Sequence, residues 1–291
     1  MALTYQSEFG ELKSVLLKHP RDAFGLEANI EEAWTDLYYA GKPDLSEALE
    51  EYDSFVDIFK RHGIDTLFLP EHESSGLDSI YVRDASIATD NGMLICNMGK
   101  LQRKSEPNQQ LQYYLRKNES ILGSFQGNAT IEGGDVAWLD QETIAVARGY
   151  RTNDEGIAQL KTLLQNTAEV VVMDSPHYKG PTDVFHLMSV LSPVDKDLAV
   201  VYSPLMTVPF REELKTRGIK FVEVPDEEFG SLGCNVLAIA PRVCLLVKGN
   251  PITKQRLERA GAEVIEFSGE EICLKGNGGP TCLTRPLQRS I

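Results

Sequence analysis

The chain has 291 residues, of which 42% are hydrophobic and 25% charged, and its formal net charge is −14. This composition is typical of a globular protein and excludes disordered, collagen-like and coiled-coil chains. The acidic balance makes nucleic acid and anionic membranes poor partners. The sequence contains neither a signal-peptide pattern nor an apolar run of membrane-spanning length. Five scattered cysteines, an odd number, indicate reduced thiols, and we therefore expect a cytoplasmic protein.

The predicted elements begin with two strands and a helix and continue with hairpins. Residues 13–18 and 65–69 are predicted to be strands, and residues 46–62 a helix between them. Pairs of apolar runs around a polar or proline break predict four hairpins, over residues 86–95, 134–147, 188–202 and 235–247. The first hairpin contains Asn91-Gly92, a pair favoured in type I′ turns.

A helix is predicted after each hairpin. Apolar residues three and four apart indicate these helices, over residues 108–115, 156–164, 210–214 and 254–260. Short strands are predicted after the last three helices, over residues 169–173, 220–224 and 263–267. The breaks recur about every 45 to 55 residues, and such a period is typical of a repeat architecture.

A fifth repeat is divided between the two ends of the chain. Residues 13–69 supply most of it, and the final segment 281–286 would supply the missing strand. One repeat cannot bury its own apolar face, so joining the chain ends would close a ring of five ββαβ units. We therefore predict one α/β domain over residues 1–291. The alternative, an open Rossmann-like sheet, is disfavoured because no GxGxxG follows the first strand.

Polar residues stand at matching places in these repeats. Asp84, Glu132 and His186 lie just before or within hairpins, and Cys282 follows the glycine-rich residues 276–279. We expect these glycines to permit a strained turn and the close approach of a ligand. If the repeats are equivalent, a thiol, an imidazole and two carboxylates converge at one end of the ring.

The residue types point to chemistry on a planar cation. A thiolate is a nucleophile and histidine an acid or base, while paired carboxylates suit the N–H donors of a guanidinium. Each residue taken alone has an ordinary structural explanation: acids cap turns, a lone histidine packs in a core, and a lone cysteine is a small buried hydrophobe. The matching repeat position favours the functional explanation for all four.

Four segments in order resemble the guanidine-modifying enzyme superfamily, the penteins, and within it most of all the dimethylarginine dimethylaminohydrolases. They are residues 78–84, 130–136, 151–156 and 186–189, with Thr281-Cys282 at the place of the nucleophile. The resemblance implies a five-bladed α/β propeller with pseudo-five-fold symmetry. It also implies that no cofactor is needed.

The resemblance assigns roles residue by residue. Cys282 corresponds to the nucleophile, His186 to the acid and base, and Glu132 to the carboxylate that binds the guanidinium and orients the histidine. Asp84 corresponds to the second guanidinium carboxylate and Asp78 to the group that meets the α-amino end. Two arginines correspond to the pair that holds the α-carboxylate, namely Arg103 and Arg151.

Three features depart from the family pattern. Arginine deiminases and amidinotransferases usually carry an aspartate two residues after the histidine, whereas this chain has Met188. An apolar side chain leaves room for N-methyl groups or another substituent and argues against a plain deiminase. Arg83 stands where the hydrolases often have an acid, and we expect it to remove negative charge near the cation. The loop after Arg21, expected to cover the substrate, aligns with nothing in the family.

These observations favour a hydrolase that converts an Nω-methylated arginine to citrulline and an alkylamine through a covalent thiouronium on Cys282. One alternative is an arginine deiminase or amidinotransferase, and another is a guanidino-compound binding protein without turnover. No ligand spacing predicts a structural metal, although Cys282, His186 and Glu132 could chelate zinc adventitiously. The expected partner is a small guanidino amino acid, and association into a homo-oligomer stays open.

Overall fold

Regular structure in the computed structural model consists of short strands and helices, and residues 2–165, 167–183 and 185–291 are described. The strands are β1 (Leu3–Thr4), β2 (Glu11–Leu12), β3 (Ser14–Leu17), β4 (Asp65–Phe68), β5 (Ser86–Thr89), β6 (Gly92–Ile95), β7 (Ile121–Ser124), β8 (Val136–Asp140), β9 (Thr143–Arg148), β10 (Glu169–Asp174), β11 (Leu191–Asp195), β12 (Leu198–Val201), β13 (Lys220–Glu223), β14 (Leu237–Ala240), β15 (Val243–Val247), β16 (Glu263–Phe267), β17 (Arg285–Pro286) and β18 (Arg289–Ser290).

The helices connect these strands. The α-helices are α1 (Pro20–Ala23), α2 (Glu27–Ala33), α3 (Leu45–Arg61), α4 (Glu106–Arg116), α5 (Asp154–Leu163), α6 (Val208–Thr216), α7 (Asp226–Phe229) and α8 (Pro251–Arg259). Single 3₁₀ turns occupy Leu77–Ile80, Leu101–Arg103, Gly133–Asp135, Leu187–Ser189 and Ser203–Leu205, and Glu270–Leu274 form a turn of π-helix. No helix within the described ranges combines the length and apolarity that a membrane crossing requires.

Five three-stranded sheets share one pattern. In each, the central strand pairs antiparallel with one neighbour and parallel with the other. The sheets are β17-β3-β4, β5-β6-β7, β8-β9-β10, β11-β12-β13 and β14-β15-β16. A helix connects the two parallel strands of every sheet, as a parallel connection requires. The predicted ββαβ repeats are therefore confirmed, including the unit that the two chain ends share.

Apolar clusters lie between consecutive sheets. One cluster contains Leu94 of β6 and Ile144 of β9, and the next contains Ala145 of β9 and Val201 of β12. A further cluster joins the fourth and fifth sheets. The fifth sheet packs against the first through Leu245 in β15, and the first packs against the second in the last cluster. Each of the five sheets thus packs apolar side chains against both of its neighbouring sheets.

The chain ends are held by strand pairing and by one buried arginine. Strand β17 pairs with β3, while β18 lies between β1 and β2. Arg289 is fully buried and donates from Nη1 to the carbonyl oxygens of Gly10, at 2.6 Å, and Ala238, at 2.9 Å. A buried guanidinium needs such acceptors, so these bonds fix the terminal strand against two other segments.

The first hairpin does not use the type I′ turn that its Asn-Gly pair predicts. Its two turn residues, Asp90 and Asn91, do not have the positive φ angles that this turn needs, whereas Gly92 has φ 124° and begins β6. A Cβ at Gly92 would lie 2.7 Å from the carbonyl oxygen of Ser120. The glycine therefore serves the close approach of the segment that leads into β7.

Deleting residues 285–291 tests the split repeat. The deletion removes β17 and β18, leaves an edge of β3 unpaired and uncovers buried Leu16. We expect a loss of at least about 5 kcal/mol of unfolding free energy, comparable to the whole stability of an ordinary domain. Urea unfolding followed by circular dichroism measures the loss. Deleting Ile291 alone, which is 41% exposed, is the matched control, and equal midpoints for the two truncations would contradict the interpretation.

Candidate active site

The residues that precede the opening strands converge on one cavity of about 230 Å³. Asp84 stands before β5, His186 before β11 and Cys282 before β17. The walls include six of the seven predicted site residues, which are Asp78, Asp84, Arg103, Arg151, His186 and Cys282. The seventh, Glu132, is fully buried and bonded to His186. The structure therefore brings together all seven residues that the sequence nominated.

The imidazole of His186 lies between two carboxylates. Its Nε2 is 2.8 Å from Oε2 of Glu132, and its Nδ1 is 3.8 Å from Oδ1 of Asp84. Burial opposes the charged ring, but Asp84, Asp135 and Glu132 outweigh it and raise the pKa of His186 to about 9. The ring is consequently an imidazolium at neutral pH, able to give a proton to a leaving group.

Glu132 holds that imidazolium in place. Burial alone would raise the pKa of Glu132, but the bonded His186 and the nearby Arg151 hold it well below its ordinary value. Its Oε1 accepts the backbone N–H of Lys100 at 2.9 Å, and its own N–H donates to Thr152 Oγ1 at 3.3 Å. The carboxylate is thus ionised, with one oxygen bonded to His186 and the other to the backbone of Lys100.

Asp135 supports the same histidine through the backbone. It accepts a hydrogen bond from Thr152 Oγ1 at 2.7 Å and one from the N–H of Leu187 at 3.2 Å. Burial raises the pKa of Asp135 to about 6, although His186 and Thr152 oppose the rise. Asp135 is not among the predicted site residues, although it lies within a segment, residues 130–136, that carries the family resemblance.

Asp84 has one occupied oxygen and one unpaired oxygen. Arg103 donates from Nη1 to Oδ2, whereas Oδ1 is buried and has no hydrogen-bond partner among the described residues. A buried carboxylate oxygen without a partner is costly, so it favours a ligand that brings an N–H donor. A cation with several N–H groups meets this need best.

Cys282 is a buried thiol with an amide at its sulfur. Asn235 donates from Nδ2 to Sγ at 3.3 Å, and its Oδ1 accepts from the backbone N–H of Thr281 at 3.0 Å. Burial and the charge of Asp84 raise the pKa of Cys282, while Asn235 and Thr281 act in the opposite direction. The resting sulfur is therefore a thiol, and a cation bound to Asp84 would ease its ionisation.

Asn235 is not among the site residues predicted from the sequence, although its position in the repeat matches theirs. It stands just before β14, the place that Asp84, Glu132, His186 and Cys282 hold in the other four units. Every unit therefore contributes one polar residue to the site. Extending the repeat comparison to the unit without a candidate would have found it.

The residues predicted to bind the two charged ends of the substrate already have polar contacts within the protein. Arg103 donates to Glu106 from Nε at 2.9 Å and from Nη2 at 2.7 Å, and to the carbonyl oxygen of Tyr81 at 2.9 Å. Asp78 accepts from Lys100 Nζ at 2.6 Å. Within the described parts of the chain, the contacts of Arg151 are longer, 3.6 Å to a Glu132 oxygen and 3.4 Å to the backbone carbonyl of Asp183. Arg151 is therefore freer than Arg103 to meet an anion.

The glycines before Cys282 act by packing, contrary to the expected strained turn. A Cβ at Gly278 would clash with the ring of Tyr81, and one at Gly279 would lie 2.5 Å from the Asn235 amide. The residue with positive φ there is Asn277, at 58°. Because these glycines have no side chains, Tyr81 and Asn235 can pack directly against the turn that precedes Cys282.

Arg83 does not act at the cation as expected. Its guanidinium is buried and donates to Glu8 Oε1 at 2.6 Å, and Arg83 does not line the cavity. The N-terminal region instead contributes Leu37 and Tyr38 to the wall, where the family resemblance left the covering residues undefined.

Three of these side chains could hold a metal ion. Asp84, Glu132 and His186 each offer one ligand atom, and these atoms lie within 4.8 Å of one another. This set differs from the predicted zinc ligands because Asp84 takes the place of Cys282. A metal would compete with the bond between His186 and Glu132.

Comparison with known proteins gives consistent matches. A family model described as arginine deiminase matches residues 77–289. The chain is 28% identical over 270 residues to a dimethylarginine dimethylaminohydrolase of Streptomyces coelicolor, which covers 91% of this chain and 92% of that protein.

Two solved structures share the fold. The dimethylarginine dimethylaminohydrolase of Pseudomonas aeruginosa, in complex with citrulline, matches with a TM-score of 0.75 and 21% identity over 94% of this chain and 98% of its own. SxtG, an amidinotransferase from Microseira wollei, matches with a TM-score of 0.80 and 16% identity over 99% and 98%. The chain therefore has the mixed α/β fold of these proteins.

Replacing Glu132 by glutamine tests the origin of the imidazolium. The substitution removes one of the carboxylates that stabilise the proton, so we expect the pKa of His186 to fall from about 9 towards 6.5. Titration of the ring by NMR measures the change. Glu142→Gln, on the exposed turn of a hairpin, is the control. A His186 titration that is the same in both variants would refute the role of Glu132.

Proposed function

The chain belongs to the arginine deiminase family of guanidine-modifying enzymes, and we propose that it hydrolyses a guanidino C–N bond of an Nω-methylated arginine. The products would be citrulline and an alkylamine. The observation that carries the proposal is the unpaired Oδ1 of Asp84, buried beside an imidazolium in the cavity that contains the Cys282 thiol. It offers a guanidinium an acceptor where a nucleophile and an acid are at hand.

Binding of the substrate would use the opposite charges of the walls. The guanidinium pairs with Asp84, whose second oxygen is held by Arg103. The α-carboxylate meets Arg151, whose present contacts are long. The α-amino group replaces Lys100 at Asp78, since one ammonium can exchange for another. Arg103 then acts mainly by orienting Asp84.

The reaction would proceed in two displacements. Ionised Cys282 bonds to the guanidinium carbon, and the C–N bond breaks as His186 gives its proton to the departing amine. A cationic thiouronium remains on the sulfur. The neutral His186 then takes a proton from water, whose oxygen attacks the same carbon, and the C–S bond breaks to release citrulline. Asn235 stabilises the thiolate by donating from Nδ2 to its sulfur.

Met188 supports a substituted guanidinium over plain arginine. It is buried two residues after His186, and its thioether carries no charge that could bind an unsubstituted nitrogen. Arginine deimination, the activity in the family's name, and amidino transfer, the activity in the name of one structural relative, are the alternatives. A binding protein without turnover is the third.

We also infer that the five sheets close into a single five-bladed propeller domain. The cyclic sequence of apolar clusters supports it, because the fifth sheet packs on the first. All five cysteines are free and buried, which fits a reducing compartment such as the cytoplasm.

Mass spectrometry of the products tests the proposed reaction. We expect citrulline and methylamine from Nω-methylarginine, with little ammonia from arginine. Cys282→Ser should lower kcat at least about 1,000-fold, because a hydroxyl is a far weaker nucleophile at neutral pH. Cys244→Ser, a buried thiol outside the cavity, is the matched control. Ammonia from arginine would establish the deiminase instead, and full turnover by Cys282→Ser would refute the covalent step.

The pH dependence follows from the proton count of the catalytic pair. The resting enzyme carries a thiol and an imidazolium, and the reactive form has one proton fewer. His186, with a pKa of about 9, and Cys282, with a raised pKa, both lose that proton only in alkaline solution. We therefore expect kcat/KM to rise about tenfold per unit between pH 6 and 8. A flat profile over this range would contradict the assigned protonation states.

A further inference from the structure

A second cavity meets the first at the catalytic pair. Its volume is about 90 Å³, and His186 and Cys282 line both cavities. The charged residues Asp78, Asp84 and Arg151 line only the first. Lys179 and Asp183 line both cavities, so the two differ by these three charged residues rather than by the absence of all charge from the second.

Five aromatic or aliphatic side chains form one part of the second cavity's wall, and polar groups that include Lys179 and Asp183 form the rest. Tyr178, Phe185, Met188, Phe229 and Leu232 line it. The rings of Tyr178 and Phe185 are 6.0 Å apart between centroids, as are those of Tyr178 and Phe229. Contacting rings make a stiff apolar wall, which favours an uncharged hydrocarbon group.

We propose that this second cavity, the substituent pocket, receives the Nω substituent of the substrate and accepts linear alkyl groups longer than methyl. The inference rests on the proposed function. The leaving nitrogen must lie beside His186 to receive its proton, so a group on that nitrogen projects towards the adjoining cavity. The charged ends of the amino acid stay in the first cavity with Asp78 and Arg151.

The volume of the substituent pocket favours alkyl groups longer than methyl. About 10–15 Å³ of such volume holds one water-sized group, so 90 Å³ has room for several carbon atoms. One or two methyl groups would leave most of it empty. Each further methylene that is buried there should raise kcat/KM about fourfold until the pocket is filled.

A substrate series tests the pocket directly. The probes are Nω-methyl-, Nω-ethyl-, Nω-propyl- and Nω-butylarginine, and the readout is kcat/KM for each. We expect kcat/KM for the propyl compound to exceed that for the methyl compound by about 16-fold, since propyl buries two further methylenes. Thermal stabilisation of the Cys282→Ser variant by the same compounds should follow the same order, which separates binding from chemistry.

A glycine in the pocket wall allows a filling variant. Gly230 has φ −68°, and a Cβ added there meets no atom within 4 Å. Gly230→Leu should lower the ratio of propyl to methyl kcat/KM about tenfold. Gly76→Leu is the matched control, because Gly76 also has open space and an ordinary φ of −100° but lines neither cavity. It should leave the ratio unchanged.

The outcomes separate the two proposals. If the enzyme turns over methylarginine but binds and turns over propylarginine less well, the substituent pocket is overturned and the proposed function stands. A ratio that Gly230→Leu and Gly76→Leu change equally would also overturn the pocket. Neither turnover nor binding of any compound in the series would overturn the proposed function together with the pocket.

Discussion

The site depends on a buried imidazolium held between carboxylates that come from different sheets. A charge removed from water is tolerated only when partners surround it, and here each partner is itself paired with an opposite charge. Positive and negative groups therefore alternate through the buried site, in the order Glu106, Arg103, Asp84, His186, Glu132 and Arg151. Because three sheets contribute to this row, the chemistry exists only when the sheets pack together.

Among the described residues, the row leaves one acceptor oxygen of Asp84 unpaired, and the proposed substrate preference rests on this oxygen. In the proposed reaction, a guanidinium would supply the missing donor and at the same time offset the charge that opposes ionisation of Cys282. Binding and activation of the nucleophile would then be one event. In the proposed substituent pocket, the apolar side chains of Met188 and Phe229 would set a second criterion, since they favour a hydrocarbon group on the leaving nitrogen.

Much of the site was predictable because each repeat places a polar residue before its opening strand. Asp84, Glu132, His186 and Cys282 were found in this way, and Asn235 follows the same rule. Other site residues do not stand before the opening strand of a repeat. Lys100 lies between β6 and α4, and Glu106 is the first residue of α4, whereas Leu37 and Tyr38 belong to an N-terminal segment with no counterpart in the other units.

The sequence by itself determined the five ββαβ units and the register of polar positions, because hydrophobic alternation and period are local properties of the chain. Only the tertiary structure decided which charges pair. Arg83 and Asp84 are neighbours in sequence, yet the first bonds Glu8 and the second faces the cavity. Arg103 is engaged by Glu106 and Asp84. Such choices depend on side-chain direction and on distances across the fold, which local sequence patterns do not encode.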